Sequence, residues 1–104
     1  MPNANYISGR RAEYNARNTL REKGYTVIRA AGSKGPFDLA AFNGHEVRLI
    51  QIKNGKGVIA PSELKALQAL EVPDNASVEV WERVAGKWLV RWWNEASRSW
   101  EVWG

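Results

Sequence analysis

The 104-residue sequence has no cysteine, a single histidine (His45) and a single methionine. Without cysteine, the chain can form neither disulfides nor thiolate metal sites, and one histidine cannot by itself build a zinc site. The sequence has no run of eighteen apolar residues, so we predict no membrane span. The N-terminus also lacks the basic-then-apolar order of a signal peptide. By default, we expect a cytoplasmic location.

The bulk composition is that of an ordinary globular domain, with 25% charged and 44% hydrophobic residues. This length allows one domain with a modest core, and no internal repeat or boundary interrupts it. We therefore predict a single domain over residues 1–104. No glycine-rich loop ending in Lys-Ser or Lys-Thr precedes a helix, so we expect no nucleotide cofactor.

Positive charge is concentrated in the first half of the chain. The formal net charge is +4, and residues 1–53 hold nine Lys or Arg against four Asp or Glu. Such a surface attracts phosphate backbones, which indicates a nucleic acid partner. The alternative interpretation is a solvated basic face without a specific partner.

Hydrophobic spacing and turn residues predict two helices and up to six strands. A helix is predicted over 9–23, with Ser8 as N-cap and Gly24 as C-terminal stop, and a second over 61–70, with Ser62 as cap. Asn43-Gly44 predicts a two-residue hairpin between antiparallel strands. The predicted strands are 25–30, 37–42, 46–53, 78–83 and 87–93, with a short further strand at 100–103. The order α-β-β-β-α-β-β indicates an α/β fold with a mixed sheet flanked by helices.

Two of these predicted strands place candidate site residues together. Asp38 opens one apolar strand, and Gln51 and Lys53 end the next. Alternation puts Gln51 and Lys53 on one face, about 7 Å apart. An acid and an amide beside a fixed ammonium can hold a hard cation and a phosphate, which is the chemistry of phosphodiester cleavage. Glu13 borders the apolar face of the first helix; spacing alone favours an exposed pair with Arg17.

All six tryptophans fall within the last 24 residues. Large side chains alternate on both faces of the strand at 88–93, more than a small domain easily buries. We therefore predict that the Trp-rich strands over 78–103 form a homodimer interface. The alternatives are a platform for stacking unpaired bases and complete burial as core and cross-strand pairs.

Over residues 9–56 the chain resembles the archaeal-type Holliday junction resolvases of the PD-(D/E)XK nuclease superfamily. The resemblance rests on five elements in order: Arg10-Arg11-Ala12-Glu13, Gly24 to Arg29, Gly32-Ser33, Gly35-Pro36-Phe37-Asp38 and Gln51-Ile52-Lys53. It implies a restriction-endonuclease-like core and a structure-selective DNA endonuclease. Such an enzyme resolves four-way junctions by metal-dependent hydrolysis that leaves paired nicks.

The resemblance also implies roles for individual residues. Asp38 matches the central metal-binding aspartate, Lys53 the lysine that activates water or stabilises charge, and Glu13 a glutamate that helps hold the metal. Asp38, Gln51 and the Ile52 carbonyl would bind Mg²⁺, or Mn²⁺, with Glu13 completing the shell. Arg10 or Arg11, Arg29 and Ser33 match positions that contact the DNA backbone, and we expect Lys34 and Lys56 to add to these contacts.

Gln51 departs from the family pattern, which most often has glutamate at this position. An amide offers a carbonyl ligand but no negative charge, so we expect a higher metal requirement. The alternative is an inactive DNA-binding relative.

The implied setting is an archaeal or virus-infected host cell, and the implied partners are branched DNA and a second copy of the chain. The loop Gly32–Pro36 and an N-terminal arm, Asn3–Gly9, are expected to grip the branch point. Three alternatives stay open: a nuclease for another DNA target, a non-catalytic nucleic-acid-binding module, and an interaction protein.

Overall fold

The computed structural model describes residues 4–30, 36–54 and 59–103. It confirms the predicted α/β class and the order of the elements, including the short last strand. The elements are α1 (Ala4–Glu22), β1 (Thr26–Arg29), β2 (Leu39–Phe42), β3 (Val47–Asn54), α2 (Pro61–Gln68), β4 (Ala76–Val84), β5 (Lys87–Asn94) and β6 (Ser99–Val102).

The six strands form one mixed sheet in the order β1-β2-β3-β4-β5-β6. Strands β3 and β4 pair in parallel, and every other neighbouring pair is antiparallel. A parallel pair needs a crossover, and α2 lies in the segment that connects β3 to β4. The C-terminal end of β3 and the start of α2 are therefore close in the chain.

The two helices belong to different faces of the sheet. On the α1 face, the helix residues Ala12, Ala16 and Leu20 pack against Leu39 and Ile50, all of them buried. On the α2 face, the core consists of Ile59, Leu67, Val78 and Val80, with Phe37 and Leu64 partly buried against it. Alternation along β3 buries Arg48, Ile50 and Ile52 and leaves Gln51 and Lys53 half-buried on the opposite face.

Helix α1 starts earlier than the sequence predicted. It begins at Ala4, so Ser8 is not its N-cap, and residues 4–9 of the predicted N-terminal arm are part of the helix. A single glycine inside a helix costs only about 1 kcal/mol relative to alanine, so Gly9 does not interrupt it. The predicted stop is confirmed, because Gly24 follows the helix with a φ of +93°.

Helix α2 is capped differently from the prediction. Its N-cap is Ala60, Pro61 occupies the first turn, and the helix ends at Gln68 instead of residue 70. Ser62 lies inside the first turn and is not the cap. Proline at the first helical position already has a helical φ and has no N–H to satisfy, so the helix can begin without a side-chain cap.

The hairpin between β2 and β3 also differs in detail. The Asn43 N–H donates to the Glu46 carbonyl, so Gly44 and His45 occupy the centre of the turn. The Asn43 side chain accepts hydrogen bonds from the N–H groups of His45 and Glu46. Asparagine thus stabilises the turn through its side chain from the position before the two central residues, whereas the Asn43-Gly44 pair predicts it at a central position.

The tryptophans form pairs between strands. Trp81 packs against Trp88, and Trp93 against Trp100, each with ring centroids 5.5 Å apart. Side chains alternate between the two faces of β5 as predicted, since Trp88 belongs to the α1-face core and Trp93 to the α2-face core. Trp103 is half-exposed. Four of the six tryptophans thus pack against another tryptophan of the same chain.

A buried ion pair joins β3 to β4 on the α1 face. The Arg48 guanidinium donates two hydrogen bonds of 2.7 Å to the Glu79 carboxylate. Ser77 Oγ and Trp81 Nε1 donate to the same carboxylate, and Glu79 is fully buried. A charge that is removed from water is tolerated only with such partners.

Within the residues that the structure describes, no helix is both long enough and apolar enough to cross a membrane.

Removing one member of the buried pair should destabilise the fold. Glu79→Gln leaves the Arg48 charge without a counterion, and we expect a loss of about 3 kcal/mol in the free energy of unfolding, measured by urea denaturation. The control is Glu95→Gln, because the Glu95–Arg98 pair is about two-thirds exposed and should contribute less than about 1 kcal/mol. Equal losses in the two variants would contradict the assignment.

Candidate active site

Asp38 lies at the point where β2 begins beside the end of β3. Its backbone N–H donates to the Ile50 carbonyl at 2.8 Å, and its side-chain Oδ2 accepts the Ile52 N–H at 2.9 Å. The carboxylate oxygen therefore accepts the hydrogen bond that a backbone carbonyl of a neighbouring strand would otherwise accept from Ile52. Its other oxygen, Oδ1, makes no hydrogen bond to the part of the chain that the structure describes.

The residues around Asp38 explain why β2 starts at Leu39 and not at Phe37. Residues two apart on a regular strand share a face. Here Phe37 packs into the α2-face core and Leu39 into the α1-face core. The backbone must therefore bend at Asp38, where regular pairing gives way to the side-chain hydrogen bond.

Gln51 and Lys53 share the α2 face of β3, as predicted from their spacing. Leu39 pairs with Ile50 in the antiparallel register, and the Asp38 side chain accepts the Ile52 N–H, so Asp38 lies beside Gln51. The Gln51 side chain is half-buried and makes no hydrogen bond within residues 4–30, 36–54 and 59–103. Its amide oxygen is consequently available to a ligand.

Lys53 is held by an acid from α2. Its Nζ lies 2.9 Å from Glu63 Oε2, with side-chain exposures of 26% and 42%. The sequence prediction did not include Glu63 in the site. The order of the elements could have indicated this contact. Helix α2 follows β3 after a short segment, so the first turn of α2 is expected near Lys53.

The pKa of Asp38 reflects both its burial and the charged groups around it. Burial raises the pKa of the Asp38 carboxyl above its usual value, and the negative charge of Glu63 raises it further. The Ile52 N–H, Lys53 and Arg29 act in the opposite direction without cancelling the effect of burial. Asp38 is thus a partly desolvated acid within the electrostatic reach of two cations and a second carboxylate.

Glu13 reaches the sheet from α1 but pairs with β1. Its Oε2 lies 3.3 Å from Arg29 Nη2, and the Glu13 side chain is only 20% exposed. The pair with Arg17, which spacing alone favoured, does not form; the Arg17 guanidinium lies over the Tyr14 ring, 4.4 Å from its centroid. Arg29, which also acts on Asp38, therefore links Glu13 to the site.

The predicted DNA contact Arg10 or Arg11, which the sequence left open, involves two residues in different positions. Arg10 lines a small cleft together with Glu13, Arg17 and Arg29. Arg11 is exposed and is not among the residues lining that cleft. The three arginines of this cleft form a surface suited to phosphate groups, and Arg17 was not among the predicted DNA contacts.

Three predicted DNA contacts, Ser33, Lys34 and Lys56, lie outside the described residues. The predicted basic loop Gly32–Pro36 also falls there, apart from Pro36.

Comparison with known proteins identifies the family. The family model "Archaeal holliday junction resolvase (hjc)" matches residues 4–72, which include Glu13, Asp38, Lys53 and Glu63. This chain belongs to the archaeal Holliday junction resolvase family. It is a nuclease that resolves four-way DNA junctions.

A solved structure shares the resolvase fold. One match is the Hjc of Archaeoglobus fulgidus, described as a Holliday junction resolvase from an archaeal hyperthermophile. The TM-score is 0.67 with 24% sequence identity, over 79% of this chain and 70% of that chain. No curated protein sequence matches the chain.

Resolvases of this family are metal-dependent nucleases, and the donors at this site suit a hard divalent cation. Asp38 Oδ1, the Gln51 amide oxygen and the Ile52 carbonyl are oxygen ligands of the kind that Mg²⁺ and Mn²⁺ prefer. The site does not contain a three-carboxylate cluster, since no three acidic or histidine side chains among the described residues are close enough to hold a metal. Glu13 instead occupies its ion pair with Arg29.

Neutralising Asp38 should stabilise the folded state of this resolvase. Because burial raises its pKa, the charged form costs stability at neutral pH. Asp38→Asn should therefore raise the free energy of unfolding by about 1 kcal/mol, measured by urea denaturation in metal-free buffer. The gain should vanish as the pH falls through the raised pKa of Asp38, because both side chains are then neutral. A variant less stable than wild type at neutral pH would contradict this account.

Proposed function

We propose that this resolvase hydrolyses one phosphodiester per site with the help of Mg²⁺ or Mn²⁺, held by Asp38, Gln51 and the Ile52 carbonyl. The observation that supports this best is the Asp38 carboxylate, which is fixed by the Ile52 N–H and keeps one oxygen open beside Gln51. When bound, such a metal polarises a phosphoryl oxygen and lowers the pKa of a coordinated water.

The side chains around Asp38 have separate roles in this proposal. The Lys53 ammonium offsets the negative charge that develops on the phosphoryl oxygens; its ion pair with Glu63 supports this electrostatic role over that of a base. Arg29 and Arg10 position the DNA backbone next to the cleavage site. Glu13 orients the Arg29 guanidinium through their ion pair.

Backbone contacts position DNA without reading its bases. The cleft beside the site is lined by Arg10, Arg17 and Arg29, which suits recognition of phosphate groups. Ser33, Lys34 and Lys56 would extend this contact surface. We therefore propose selection of junctions by shape, in the cytoplasm of an archaeal or virus-infected cell.

The cleavage assay compares a four-way junction, a flap and a plain duplex with Mg²⁺ or Mn²⁺. We expect paired nicks in the junction and little cutting of the duplex. Asp38→Ala and Lys53→Ala should each reduce the cleavage rate by about a hundredfold or more, with junction binding retained. The matched control is Lys65→Ala on α2, which removes a lysine outside the site. Preferential cutting of flaps or duplex would remove the junction assignment.

We also propose that the resolvase acts as a homodimer through strands β4 to β6. Val84, Leu89 and Val102 are 49%, 39% and 62% exposed, and the strand register places them on one face of adjacent strands. An exposed apolar patch of this kind favours contact with another protein surface. A twofold dimer would present two equivalent sites to the two strands that must be nicked.

Charge on this patch should dissociate the dimer. Leu89→Asp and Val102→Asp should each raise the dissociation constant by about tenfold or more, and light scattering on a dilution series measures the molar mass. Ile28→Asp is the control, because Ile28 is 57% exposed on β1 at the opposite edge of the sheet. A wild-type protein of single-chain mass at every concentration would contradict the dimer.

A further inference from the structure

Glu63 brings a second acid to Asp38 and Lys53. Its carboxylate contacts the Lys53 ammonium, and its charge contributes to the raised pKa of Asp38. Glu63 therefore belongs to the charge balance of the site, although it comes from a helix that otherwise packs against the α2-face core.

Neither helix capping nor stability explains this position. Glu63 is the third residue of α2, where a glutamate commonly accepts the N-cap N–H. Within the described residues it makes no such bond, and its carboxylate turns to Lys53 instead. With side-chain exposures of 26% for Lys53 and 42% for Glu63, the ion pair contributes little to stability.

The charges around the site show what Glu63 changes. The charged side chains that act on Asp38 are Lys53, Glu63 and Arg29, and Gln51 is neutral. With Glu63 two acids balance two cations, and without it Asp38 alone faces two cations. A site that must attract a divalent cation therefore depends on this carboxylate more than it would if residue 51 were acidic.

We propose that Glu63 is a positioning residue of the resolvase site, which holds the Lys53 ammonium beside Asp38 and supplies the negative charge that the Gln51 amide lacks. The proposal rests on the metal-dependent hydrolysis proposed above. It assigns to α2 a role in the reaction as well as in packing.

The first test removes only the charge of Glu63. We expect Glu63→Gln to lower the single-turnover rate of junction cleavage by about tenfold or more, while the dissociation constant for the junction, measured in Ca²⁺, changes little. Glu71→Gln is the matched control, because it makes the same substitution at an exposed position beyond the other end of α2. Glu63→Asp keeps the charge and should recover part of the rate.

The second test moves the charge to the neighbouring position. Adding Gln51→Glu to Glu63→Gln should restore much of the lost rate, because the acid returns to the same site from β3. Mn²⁺ binding, measured by the electron paramagnetic resonance of free Mn²⁺, should weaken in Glu63→Gln and recover in the double variant. In the wild-type background, Gln51→Glu should lower the metal concentration needed for cleavage.

Three results would overturn the role of Glu63. These are an unchanged rate in Glu63→Gln, a loss that Gln51→Glu does not recover, and a loss of folding or junction binding that accounts for the slower rate. Failure of the underlying mechanism has a different signature, because wild type and Glu71→Gln would then also leave junctions uncut. The Mn²⁺ titration still decides the role of Glu63 in that case.

Discussion

The hydrogen bond from the Ile52 N–H to the Asp38 carboxylate is the contact on which the candidate site depends. It joins the bend before β2 to the central strand β3 where backbone pairing stops. A backbone donor cannot change its direction without distorting the strand, so it fixes the acid more firmly than a mobile side chain could. Gln51 and Lys53, on either side of Ile52, are positioned by the same strand.

The two faces of strand β3 carry different side chains: buried residues of the core on one, and candidate site residues on the other. Ile50 and Ile52 are buried in the α1-face core, while Gln51 and Lys53 stay half-buried on the other face at the end of the strand. This arrangement places reactive groups on a rigid element and leaves their outer ends accessible. The cost is a partly desolvated acid at Asp38, the kind of local instability that active sites commonly retain.

The charged side chains near the two ends of β3 differ in how completely they are paired. Near its start, the buried Arg48–Glu79 pair is surrounded by donors and joins two strands. Near its end, Asp38 has one oxygen without a partner among the described residues, and the Lys53–Glu63 pair is partly exposed. A saturated buried pair serves the fold, whereas polar groups left incompletely paired at a surface can still exchange partners for a ligand.

The sequence by itself determined the α/β class, the order of the elements and the candidates Asp38, Gln51 and Lys53, because strand alternation and turn residues are local signals. It misplaced the start of α1 and the cap of α2, where several local choices differ by little free energy. Only the tertiary structure paired Glu13 with Arg29, separated Arg10 from Arg11 and brought Glu63 to Lys53. Those contacts depend on how the helices pack on the sheet, and packing is decided by burial across the whole chain rather than by the spacing of neighbouring residues.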